Sequence, residues 1–143
     1  MSDEEYTVEA DEVLKALIHH DFVAHVPRIF HYEVTSILAR ACASRNPAGK
    51  HRMTQEKAAA CLRKLFYIPL LIYPTTEDEC VDALTMATTY SKTAYDMTYL
   101  RLAQALDCVW CTADAKVTVG WPEDSLDLAA RIILLPDFQI TDQ

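Results

Sequence analysis

The stretch Thr93–Asp114, TAYDMTYLRLAQALDCVWCTAD, opens and closes on an aspartate set among apolar residues. Ala94 to Leu106 has the apolar spacing of a helix, and Cys108 to Thr112 reads as a short buried strand. Asp96 then lies in the first turn of the helix, and Asp114 follows directly on the strand. Such a helix travels roughly 20 Å at 1.5 Å per residue. The strand returns roughly 16 Å at 3.3 Å per residue. Helix starts and strand ends meet at one edge of an α/β sheet, so both carboxylates are expected where such sheets take ligands. Glu33 obeys the same rule, from the second turn of a helix that follows an earlier strand.

Three converging carboxylates repel one another unless a cation lies between them. Hard divalent ions prefer oxygen ligands, and Mg²⁺ takes one or two carboxylates together with water and phosphate oxygens. A site of this kind generates a nucleophilic hydroxide and stabilises a leaving oxygen in phosphodiester cleavage. Taken singly, each acid also has a structural reading. Asp96 suits the positive end of a helix dipole, Asp114 can cap the next turn, and Glu33 can be a surface acid. Their common edge is what favours a shared site.

The elements that must hold these acids are set by periodicity. Val8 to His20 has helical spacing at Val8, Val13, Leu14, Leu17 and Ile18. Phe22 to Val26 is a β-rich run ended by Pro27. From Arg28 to about Ser44 one helical stripe runs through Ile29, Phe30, Val34, Ile37, Leu38 and Ala41. RNPAGKHRM is a loop, and Thr54 caps a helix to about Phe66. IPLLIY reads as a strand. Thr76 and Glu79 form a capping box that opens a helix to about Tyr90. Arg131 to Leu135 is a last strand. Strands alternate with helices, so the class is α/β with a mainly parallel sheet. At 143 residues the chain fits a single domain, 1–143, with one core.

Composition removes other chemistries. Half the residues are hydrophobic, which argues against disorder, and no apolar run reaches the ~18 residues of a membrane span. The acidic start MSDEEYTVEADEV lacks an apolar signal core. A soluble, cytoplasmic protein with no membrane partner is expected. With Gly49 and Gly120 the only glycines, there is no phosphate-cradling loop, and nothing matches a hydrolase serine elbow. Five irregularly spaced cysteines do not make a disulfide framework. Cys108-Val-Trp-Cys111 spells C-x-x-C, but on a strand positions three apart face opposite ways, so these are read as small buried hydrophobes.

Net charge is −8, unevenly spread. Arg40 to Lys64 holds seven Lys/Arg against one acid, Glu56, whereas the rest holds six against twenty. A basic segment in an acidic protein can track a phosphate backbone, and Arg40, Arg45, Lys50 and Arg52 are its RNA-binding candidates; a solvated helix face with a polar loop is the alternative. The five histidines read as structural. His31 and Glu33, two apart on a helix, do not face each other. Trp110 reads as core, Trp121 as a loop anchor, and Tyr95 and Tyr99 as packing residues.

The same segments resemble a known family. VPRIFHYEVTSILAR is similar to the second acidic motif of PIN-domain ribonucleases. AYDMTYLRLAQAL resembles the third, a Tyr-Asp before an apolar helix, and CVWCTADAKV the closing strand and Thr-Ala-Asp. The last two at this separation are fairly specific, and the resemblance covers nearly the whole chain. It is nearest to the VapC-type toxins of toxin–antitoxin pairs. It implies an α/β/α sandwich and a Mg²⁺- or Mn²⁺-dependent endoribonuclease. Glu33, Asp96 and Asp114 would be the catalytic and metal-site acids, with Thr112 supporting Asp114 by a hydroxyl hydrogen bond. A homodimer, and a small antitoxin covering the active groove, are implied as well. Members normally begin with an apolar strand bearing a first catalytic aspartate. MSDEEYTVEADEV resembles the segment after that strand and its helix, and no residue here matches that aspartate. Rearranged strands, a second chain or residues further upstream would each fill the strand's place. The resemblance thus implies either a weak ribonuclease with three acids or a degenerate, inactive PIN-like protein that binds RNA or a protein partner.

Overall fold

The structure, a computed structural model, describes residues 6–45 and 52–140. The fold is mixed α/β with short parallel strands. Its contacts gather into two compact units, one of Met1–Phe22 with Pro74–Gln143 and one of Val23–Tyr73.

The first unit begins with α1 (Thr7–Ile18), which ends on His19 and a left-handed His20. After the second unit, which holds β1 (Ala24–Pro27), α2 (Ile29–Ala43), α3 (Gln55–Leu65) and β2 (Leu70–Tyr73), it resumes with α4 (Glu77–Tyr90), α5 (Ala94–Ala105), β3 (Trp110–Thr112), α6 (Leu126–Ala129) and β4 (Ile132–Leu134). The Thr76–Glu79 capping box forms as its spacing predicts. The Thr76 hydroxyl accepts from the Glu79 N–H at 3.3 Å, and Glu79 Oε2 accepts from the Thr76 N–H at 2.9 Å. Both bonds satisfy donors that a helix start leaves open. Left-handed Ser91 ends α4, so the chain turns back and α5 packs along α4. Across that contact Arg101 donates to Glu79 at 3.1 Å and to Asp82 at 2.8 Å.

The core of this unit is Ala83, Met97, Leu100, Val117 and Ile132, with Met97 and Leu100 fully enclosed. Met97 and Leu100 are three apart on one helix face, and burying each contributes roughly 1.5–3 kcal/mol. β3 and β4 pair in parallel, Trp110 opposite Ile132 and Thr112 opposite Leu134. β3 starts two residues later than the sequence suggests. The Cys108 N–H is held by the Ala103 carbonyl at 2.9 Å, and Asp107 is left-handed at φ 51°. Cys108 thus closes the helix rather than opening the strand, and only Cys111 of the C-x-x-C is a strand residue. All five cysteines are free thiols. Burial pushes both Cys108 and Cys111 up, Arg131 partly countering it at Cys108. Burial of this kind favours the protonated thiol over the reactive thiolate.

In the second unit β1 and β2 are parallel, Ala24 opposite Leu70 and Pro27 opposite Tyr73. Pro27 is thus the last residue of the strand, and the ladder begins at Ala24 rather than Phe22. Proline is tolerated there because, in a two-stranded sheet, its missing donor sits at an edge, and the Arg28 N–H makes the next bond, to the Tyr73 carbonyl at 2.9 Å. The Thr54 hydroxyl caps α3, accepting from the Lys57 N–H at 3.3 Å. The His25 ring and the Tyr73 hydroxyl are hydrogen-bonded at 3.0 Å across the strand pair. His31 stacks on Phe66 at 4.8 Å between ring centroids. No helix among the described residues is long and apolar enough to cross a membrane.

Candidate functional site

Asp96 is the third residue of α5, and its place is set by Thr93. The Thr93 hydroxyl accepts from the Asp96 N–H at 3.1 Å and donates to Asp96 Oδ2 at 2.6 Å. Half of the α4 capping box recurs here: the threonine hydroxyl accepts from the N–H three residues on, but the Asp96 carboxylate accepts from that hydroxyl rather than from the Thr93 N–H. The negative charge also sits in the first turn, where the helix dipole favours it. Asp96 is half-buried beside the enclosed Met97.

Asp114 follows β3 and caps the 3₁₀ turn Ala115–Thr118, its Oδ1 accepting from the Lys116 N–H at 2.9 Å. Thr112 acts one step back. Its hydroxyl accepts from the Asp114 backbone N–H at 3.1 Å, so this bond fixes the main chain of Asp114 rather than its carboxylate.

Lys92 joins the two segments, and local sequence patterns do not single it out. Its ammonium donates to the carbonyl of Lys116 at 3.4 Å and to that of Val119. It also lies 5.3 Å from the Trp121 ring centre. Trp121 is anchored in turn, its indole N–H donating to the Val117 carbonyl at 2.8 Å and its ring 4.9 Å from Tyr90. The residues just before α5 are thus fastened to the turn that carries Asp114, and Met97 and Val117, one and three residues from the two aspartates, share one core.

Each aspartate spends one carboxylate oxygen on its cap. Asp96 Oδ1 and Asp114 Oδ2 accept from no protein donor among the described residues. Carboxylate oxygens are the donor type that hard divalent ions prefer. Glu33 lies on α2, half-buried, in the second unit. Within neither unit do three His, Cys, Asp or Glu side chains among the described residues form a group that could hold a metal ion.

The basic candidates all belong to the second unit. Arg40 is exposed in the last turn of α2. Arg45 and Arg52 are exposed on the two arms drawn together by the Arg52 N–H and the Ser44 carbonyl at 3.1 Å. Lys50 lies outside the described residues. In the first unit Tyr99 stacks on Trp110 at 5.7 Å and 10° between planes, but Tyr95 remains 60% exposed and does not pack as its spacing suggests. No family model, curated protein or solved structure matches the chain.

Proposed function

We propose that the chain is a PIN-type ribonuclease dependent on Mg²⁺ or Mn²⁺, acting as the toxin of a toxin–antitoxin pair. The observation that carries this reading is the junction at Lys92. It ties the start of α5, with Asp96, to the turn after β3, with Asp114, and each aspartate keeps one oxygen clear of its cap. Asp96 and Asp114 hold the metal, and Glu33 is the third acid by its motif. When bound, the ion supplies a nucleophilic hydroxide and offsets charge on the leaving oxygen. The chain's part is positional. Thr93 fixes Asp96, Thr112 fixes the backbone of Asp114, and Lys92 keeps the two segments in register. Homodimerisation and inhibition by a small antitoxin belong to the same reading, and so does an α/β/α arrangement.

The test is cleavage of labelled single-stranded RNA with Mn²⁺ and with EDTA, using the full chain and the Asp96→Asn, Asp114→Asn and Glu33→Gln variants. Cleavage that needs the metal and is lost with either aspartate is the expected result. Cleavage that persists in EDTA, or in either aspartate variant, overturns the reading. The capping bonds give both aspartates a structural role, and that favours a second reading, an inactive PIN-like protein that binds RNA or a protein partner. RNA binding without cleavage under any metal would decide for it.

A further inference from the structure

The unit Val23–Tyr73 carries eight Lys/Arg against two acids, net +6, while the remainder of the chain carries five against nineteen, net −14. Within this basic unit the end of α3 presents Arg63, Lys64, Phe66 and Tyr67 in succession, all exposed. The turn is continuous with the helix, since the Phe66 and Tyr67 N–H groups donate to the Arg63 and Lys64 carbonyls at 3.2 and 3.0 Å. Arg63, Phe66 and Tyr67 therefore share one side, being three and four positions apart. Phe66 is 66% exposed and Tyr67 is 88% exposed. Two adjacent rings left this exposed at a helix end form an apolar patch among polar neighbours, the kind of feature that marks an interaction site.

Phe66 is also held in place. One face lies on His31, with rings 4.8 Å apart and 25° from parallel, and His31 in turn meets Phe30 edge-on at 5.8 Å. The result is a short aromatic stack ending on an open face, with two cations within the same turn. Stacking rings beside a cationic track recognise the unpaired bases and the phosphates of a single strand together. A duplex offers no free base faces, and an acidic protein segment would need apolar side chains of its own at the same spacing to use the rings.

We propose that Phe66 and Tyr67, flanked by Arg63 and Lys64, form a binding surface for single-stranded RNA. The surface stands without the metal chemistry, and only the choice of RNA over DNA rests on the ribonuclease reading above.

The experiment is fluorescence anisotropy of labelled oligouridine with the full chain in EDTA, so that cleavage plays no part. An RNA hairpin stem and oligothymidine are the comparison probes. Oligouridine should bind, and more weakly as salt rises. Tyr67→Ala should weaken binding about tenfold, Tyr67→Phe should not, and Arg63→Glu/Lys64→Glu should weaken it further. Tyr67 is so exposed that its variants leave the fold intact, as matching circular dichroism melts should show. Absence of oligouridine binding overturns the proposal while metal-dependent cleavage, measured separately, still decides the function. Equal affinity for the hairpin stem, or no effect of Tyr67→Ala, overturns the stacking surface. Equal affinity for oligothymidine overturns the assignment to RNA.

Discussion

Thr93 and Asp96 share two hydrogen bonds, yet their substitutions should have opposite consequences. Thr93→Ala removes the acceptor for the Asp96 N–H and the donor to Asp96 Oδ2. Loss of a threonine N-cap costs about 1 kcal/mol, within a range of roughly 0.5–2. At about 2.1 cal/mol/K per residue, the 143 residues unfold with an entropy of about 0.3 kcal/mol/K. Each kcal/mol is then about 3 °C in Tm, so Thr93→Ala should melt about 3 °C lower. Asp96→Asn keeps a side-chain oxygen for the Thr93 hydroxyl and loses only the charge at the helix start, about 0.3–1 kcal/mol. It should melt within about 3 °C of the parent while losing metal-dependent RNA cleavage. Thermal melts by circular dichroism, paired with the cleavage assay, separate the two. If Thr93→Ala melts with the parent, the cap does not carry the start of α5. If Asp96→Asn costs far more stability than Thr93→Ala, Asp96 serves the fold first and the reasoning about its spare oxygen fails.

The packing and the thiols give the other predictions. Leu100→Ala, at a fully enclosed position, should cost about 2–5 kcal/mol, read from a denaturant titration. Arg101→Met should cost about 0.5–1 kcal/mol, because its bonds to Glu79 and Asp82 are partly solvated, and the difference should shrink in high salt. Lys92→Met should speed amide exchange across Ala115–Thr118 relative to α4, because the carbonyls of Lys116 and Val119 lose their shared donor. Under mild alkylation the exposed Cys61 and Cys80 should label before Cys108 and Cys111, whose thiols burial holds protonated. Because folding raises those two thiols, their contribution to stability is complete below the ordinary thiol range and is lost as pH rises through the raised values. Denaturant titrations of parent and Cys111→Ala should therefore differ in alkaline slope.

Local chemistry made much of the fold legible. Thr54 and the Thr76–Glu79 pair name their own helix starts, because a cap is decided within four residues. The rise of a helix against that of a strand anticipates that the turn after β3 returns toward the start of α5, where Lys92 fastens it. What could not be read depends on distant partners. Cys108 fits a strand by type, but the Ala103 carbonyl claims its N–H first. Phe22 and Val23 fit the strand by type, but the ladder to β2 begins only at Ala24, opposite Leu70. Lys92 looks like any loop lysine, since the carbonyls that hold it are 24 and 27 residues further on. Only the family resemblance points to Thr112 as a partner of Asp114, and it is the Asp114 backbone N–H, not the carboxylate, that the Thr112 hydroxyl meets. Tyr95 and Tyr99 share a spacing, and only Tyr99 finds a ring, Trp110, to lie against.

The first unit is discontinuous along the chain, because α1 packs near Leu135–Asp137 and Phe22 meets Phe138 at 5.8 Å. This sets an order of events during synthesis. Val23–Tyr73 is one uninterrupted run, so its strand pair can close as soon as Tyr73 clears the ribosome. Phe22 must wait 116 residues for its partner, a delay of roughly 6–23 s at about 5–20 residues per second. Throughout that interval α1 is made but lacks its partner segment at Leu135–Asp137, and the nascent chain displays its basic unit before the acidic unit is complete.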